Sequence, residues 1–137
     1  IPVVQLSLNR LQSAEWHFNL AKKLAALREQ GVLIIGSGNI VHNLRAISWE
    51  HIDQIGAGYD WAYVFRDQIN HAMTTQNNDE LVHYEQFGEG AALSVPTPDH
   101  YLPLLYVMAL REPDEKVAFF NDHLIAGSLS MTSVLVG

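Results

Sequence analysis

Apolar and polar positions alternate at the start of the chain, Val4, Leu6 and Leu8 against Gln5 and Ser7. That period of two predicts a strand over residues 3–8 with one protected face. Ser13 then stands where it can cap a helix, with Glu15 in the first turn at the positive end of the dipole. Trp16, Leu20, Leu24 and Leu27 follow at helical spacing and make one apolar stripe. Lys22, Lys23, Arg28 and Glu29 fall on other faces, and Gly31 marks the helix end. Val32-Leu33-Ile34-Ile35 is an unbroken aliphatic run between glycines, hence a fully buried strand, expected to be parallel. Strand, helix and strand with short connections form a βαβ unit, whose crossover is right-handed.

The middle of the chain is less regular. After Gly56-Ala57-Gly58 the pattern predicts a helix from about 60 to 75, with Trp61, Val64, Phe65 and Ile69 on one side. Asp79 is placed to cap a short helix over 80–87, and Gly88-Glu89-Gly90 ends that piece. Thr97 is expected to cap a further helix with Pro98 at its first position, where the missing N–H costs nothing. Leu104, Leu105, Val107, Met108 and Leu110 make this helix apolar almost all round, so it is expected to be buried. Pro103 lies too far inside to be harmless and should tilt or unwind its first turn. Residues 116–120 and 129–136 read as strands that pair with each other.

Composition narrows the classes of function. At 137 residues the chain makes one domain, assigned to 1–137, with 48% hydrophobic and 17% charged residues, which argues against disorder. A net charge of −7 without a basic stripe disfavours a nucleic-acid partner. No apolar run approaches the ~18 residues of a membrane span. Neither a signal peptide nor an initiator Met is readable, so a cytoplasmic location is expected, and an opening strand reads as the start of the back half of a longer protein. Cysteine is absent, so any metal must be held by imidazole and carboxylate, which favours Fe(II), Mn(II) or Zn(II).

Two histidines stand out. His42 follows the turn Gly36-Ser37-Gly38 and should project over the carboxyl edge of the sheet, where open α/β folds bind ligands. The turn is not a dinucleotide fingerprint, because Val41 occupies the place of its third glycine. Asn43, Ser37 and Asn39 can orient the imidazole, and aliphatic neighbours lower its pKa towards the range useful for acid–base work. His100 comes early in the helix after Thr97, where the dipole favours a neutral ring able to ligate a metal. Tyr101 could reach a ligand beside it, whereas Tyr106 and His17 suit core packing. Taken alone, each histidine also fits an ordinary structural role. A shared site requires the two to converge within about 5–8 Å.

At these residues the chain resembles the DODA-type class III extradiol ring-opening dioxygenases of the LigB-like superfamily. The resemblance rests on Ser37-Gly38-Asn39 through His42-Asn43-Leu44-Arg45, on Pro96-Thr97-Pro98 through His100-Tyr101-Leu102-Pro103, and on Gly127-Ser128-Leu129-Ser130-Met131. It implies the C-terminal half of a single-domain α/β fold, with a mixed central sheet flanked by helices. It further implies cleavage of a catechol such as DOPA by O2 at a non-haem metal, Fe(II) by expectation and Zn(II) as the alternative. His42 becomes the acid–base and metal-site residue, His100 a metal ligand, and Asn43 and Tyr101 substrate contacts. The family's other two metal histidines lie in H-G-S-P and S-A-H-W motifs, which this chain lacks. A missing N-terminal half, a complementary subunit or association between copies is therefore expected. A catalytically incomplete fragment and a zinc-dependent hydrolase remain the competing readings.

Overall fold

The computed structural model describes residues 1–137. Six helices carry most of the regular structure: α1 (Ala14–Lys22), α2 (Ala25–Arg28), α3 (Asp60–Thr74), α4 (Asn78–Val82), α5 (Glu89–Ser94) and α6 (Leu102–Ala109). Four short strands, β1 (Val117–Phe120), β2 (Leu124–Ile125), β3 (Leu129–Ser130) and β4 (Ser133–Val136), complete a mixed helix-and-strand fold. β1 pairs antiparallel with β4, Val117 opposite Val136, and β2 pairs antiparallel with β3. The expected pairing of the last two strands thus forms, although the stretch 129–136 is divided between two ladders.

The core lies where α1 packs on α6 and where α3 meets α4 and α5. Phe65, Ile69 and Met73 of α3 interlock there with Leu81, Tyr101, Leu102, Leu105 and Met108. α3 begins and ends within a residue of expectation, but its buried face runs through Ala62, Phe65, Ile69, Ala72 and Met73, while Val64 is exposed. α6 is buried as its composition predicts. Pro103 is accommodated because α6 starts only at Leu102; residues 98–100 form a separate 3-10 turn with Pro98 at its start and no side-chain cap from Thr97.

Several expectations are corrected. Ser13 caps α1, its hydroxyl accepting from the Trp16 amide at 3.1 Å, but the helix stops at Lys22 and α2 is a single turn. The face α1 buries is His17, Phe18 and Ala21, whereas Trp16 is exposed. The reason is His17, whose Nε2 lies 2.9 Å from the Asn9 carbonyl and whose Nδ1 lies 2.8 Å from the Tyr106 hydroxyl. A carbonyl can only accept, so Nε2 carries the proton and Nδ1 accepts from Tyr106. Asn77, not Asp79, caps α4, with its side chain accepting from the Glu80 amide. Gly88, at φ 73°, ends one 3-10 turn and launches α5, which the glycine pair had masked.

Neither strand of the expected βαβ unit forms. Residues 1–9 and 32–39 run without turn, bend or ladder. A strand exists only through a partner, and no other segment of the chain supplies a ladder of backbone hydrogen bonds to either stretch. The aliphatic run expected to be buried is open, with Leu33 79% and Ile35 78% exposed.

Candidate functional site

The two histidine motifs are joined through their backbones. Gly36 and Gly38 lie against the 100–103 segment so closely that side chains cannot fit. A Cβ on Gly38 would collide with the His100 carbonyl, and one on Gly36 would stand 2.5 Å from that of Pro103. The Asn39 amide donates to the His100 carbonyl at 2.9 Å, and the Asn39 side-chain amide donates to the Ser130 carbonyl at 2.7 Å. Ile40 and Val41 then enter the core.

Residues 41–43 behave as a short unassigned strand. The His42 amide donates to the Ser94 carbonyl at 2.9 Å, the Ser130 amide donates to the Val41 carbonyl at 3.0 Å, and His42 bridges Leu129 in antiparallel fashion. The Asn43 amide donates to the Ser128 carbonyl, and the Ser128 hydroxyl donates back to the Asn43 carbonyl at 2.7 Å. Ser94, Ser128 and Ser130 therefore fix the position of His42, though none carries a spacing that marks it in the sequence. The Gly127–Ser130 stretch held only a resemblance; its structural role is this pairing.

The imidazoles of His42 and His100 meet with ring centroids 4.5 Å apart and planes inclined at 57°. His42 is 5% exposed, yet neither of its ring nitrogens has a hydrogen-bond partner. Burial lowers its pKa and the neighbouring His100 lowers it further; Asp99 and the Thr97 backbone oppose this without reversing it. The ring is thus held neutral and keeps a free lone pair. His100 is more open and its Nδ1 lies 3.5 Å from an Asp99 carboxylate oxygen. A hydrogen bond from the Thr97 side chain holds the Asp99 carboxyl below the usual range, and the two histidines add to the effect.

Asn43 and Tyr101 do not join this pair as substrate contacts. The Asn43 side-chain amide donates to the Leu93 carbonyl at 2.8 Å, and its oxygen accepts from the Arg45 amide at 3.1 Å. Both ends are thereby engaged in holding the loop. Tyr101 is fully buried, its ring tilted at 43° against that of Tyr84 with centroids 4.3 Å apart, and donates its hydroxyl to the Leu81 carbonyl at 2.9 Å. It is a core residue, since the short turn before α6 directs it inwards. Neither Glu85 nor Glu89 makes an ion pair with the histidines, and the other histidines lie elsewhere: His51 bonds to Ser48 and His83 to Asp79.

Two unpartnered buried nitrogens beside a second imidazole suit a divalent ion. The fit extends to two ligand positions, because no group of three or more histidine or carboxylate side chains is gathered anywhere in the chain. With that donor set and no thiolate, the chemistry favours iron, manganese or zinc over softer ions.

No family model matches the chain. The protein named 4,5-DOPA dioxygenase extradiol of Escherichia coli K12 is 44% identical over 140 residues, spanning 100% of this chain and 50% of the relative. Proteins of the same name from Beta vulgaris and Portulaca grandiflora are 30% and 34% identical, over 97% and 79% of this chain. The crystal structure of an uncharacterized protein, JW3007, from Escherichia coli K12 superposes with a TM-score of 0.88 at 42% identity, covering 98% of this chain and 55% of that one. The chain spans about half the length of the curated relatives it matches. Along that whole span it is homologous to proteins named 4,5-DOPA dioxygenase extradiol.

Proposed function

We propose that this chain forms one half, by resemblance the C-terminal one, of the catalytic domain of an extradiol dioxygenase that opens a catechol such as DOPA. The observation that carries the reading is the 4.5 Å approach of His42 and His100, with the nitrogens of His42 buried and unpaired. His100 would hold the metal, Fe(II) first and Zn(II) second, with His42 beside it as the base, while further ligands come from a segment matching the other half of the relatives. Fe(II) bound there would supply orientation and a path for electrons from the catechol to O2, whose two atoms end in the aldehyde and carboxylate of the opened ring.

The chain's own residues have narrower tasks. His42, kept neutral by burial, accepts a phenolic proton as the substrate docks and returns it to an oxygen of the opened product. Asp99 orients His100 from its exposed side. Ile40 and Val41 exclude water from behind the pair. With at most two imidazole donors gathered, the chain by itself is catalytically incomplete, a second reading supported by the absence of any three-residue cluster.

The test uses the chain together with the complementary half, assayed by catechol-dependent oxygen uptake. His42→Ala is expected to lower kcat by ~100-fold to 10,000-fold with metal content largely retained. His100→Ala is expected to lower metal occupancy by elemental analysis. Unchanged turnover in the His42 variant would overturn the proton-acceptor role. Oxygen uptake absent with every catechol, alongside ester or amide hydrolysis, would favour a zinc hydrolase.

A further inference from the structure

Leu33 to Gly38 make no backbone–backbone hydrogen bond, and neither do residues 1–8. The aliphatic run nevertheless alternates as a strand does. Ile34 is half-buried in a cleft with Arg28, Val107 and Val136, while Leu33, at the lip of that cleft, and Ile35 are bare. Water can satisfy the idle amides and carbonyls, but it leaves the two aliphatic side chains unsatisfied. A neighbouring strand alone would satisfy the backbone and leave those side chains uncovered. Both needs are met only by a strand that belongs to a second packed layer.

The length of the relatives says where such a layer comes from. The curated relatives and the superposed crystal structure are about twice as long, and this chain keeps a TM-score of 0.88 over 98% of its residues against that longer chain. Its open segments therefore have the course they take inside a larger fold. A second copy of the chain would bring the same layer, with the same helices already on α6, and a further net charge of −7.

We infer that Leu33–Gly38 is an interior strand whose edge and bare face are completed by the polypeptide equivalent to the other half of the relatives. That polypeptide supplies a strand paired along these amides and apolar side chains over Leu33 and Ile35. This rests on reading the chain as half of a longer catalytic domain, and it names how the halves join. Because Gly36 and Gly38 touch the His100–Pro103 segment, the added strand arrives at the rim of the histidine pair. Backbone pairing, more than side-chain recognition, then sets the register with which the site is closed.

The test co-expresses this chain with the part of the Escherichia coli K12 4,5-DOPA dioxygenase that the chain does not cover. A one-to-one complex is expected, with the Leu33–Gly38 amides exchanging at least ~100-fold more slowly than in the chain alone. Ile35→Pro, which removes a donor at an exposed position, should abolish the complex while the unfolding midpoint of the chain alone stays unchanged. Ile35→Val should retain it. Absence of a complex, a complex with these amides still exchanging freely, or equal protection in the concentrated chain alone would each overturn the inference, the last in favour of a second copy. A protected complex without oxygen uptake would leave the pairing standing and remove the dioxygenase reading.

Discussion

Gly38 lies under the His100 carbonyl with no room for a methyl group. Gly38→Ala should therefore push the two motifs apart, costing about 1–3 kcal/mol as an overpacked contact does. Urea denaturation measures that cost. Weaker Zn(II) binding measured by calorimetry should accompany it, because the histidine rings separate. Tyr101 gives the opposite expectation. Its hydroxyl satisfies the Leu81 carbonyl inside the core, so Tyr101→Phe should cost about 1 kcal/mol of stability with no change in the KM for catechol in the completed enzyme. A raised KM would return Tyr101 to the substrate. At this scale the meeting of His42 and His100 was legible, because each sits in a run whose residue types advertise a junction. Asn43 and Tyr101 were misread because their partners, Leu93 and Leu81, are distant in sequence and are backbone atoms that no composition reveals.

Among elements, α3 and α6 were legible because long apolar periodicity outweighs local detail. The register of α1 was not, since a buried hydrogen-bonded histidine counts as polar in the pattern while it occupies the core face. The aliphatic run 32–35 was read as a buried strand and forms none, because pairing is a property of two segments and no second one pairs with it. Asp122 ties α3 to the last strands: Arg66 and Asn70 each donate to it at 3.0 Å, and the Thr132 hydroxyl donates at 2.7 Å. Burial pushes its carboxyl upwards, but the hydrogen bonds from Thr132 and Asn70 and the Arg66 charge outweigh that, so the net shift is downwards. A folded-state pKa below the unfolded value of ~3.9 means the network stabilises the fold above that pH. The contribution is lost as pH falls through the folded value. Asp122→Asn should accordingly show its full deficit in urea stability at pH 7, and a shrinking one below about pH 4. A deficit independent of pH would assign the loss to packing.

For the molecule as a whole, the apolar surface left open is as informative as the core. Val3, Val4, Leu33 and Ile35 are all exposed, a density that isolated domains avoid. The chain alone should bind the dye ANS, and the double substitution of Leu33 and Ile35 by Gln should reduce that fluorescence. The unfolding midpoint should move little, since exposed substitutions generally change stability within about 0.5 kcal/mol. Strong dye binding that survives the substitution would place the open surface elsewhere.

The contact between Gly38 and the His100 carbonyl has a consequence for how such a centre can change. The spacing of the two imidazoles is held by main-chain atoms: the Asn39 amide on His100, and the His42 amide on Ser94. Side chains that leave these contacts intact can be exchanged without moving the backbone that carries either ring. Substitutions at Thr97 or Asp99 would thus alter the polarity around the pair while the backbone spacing stays fixed. Geometry and polarity are separately adjustable here, so a lineage or an engineer can retune the surroundings of the pair without rebuilding the scaffold.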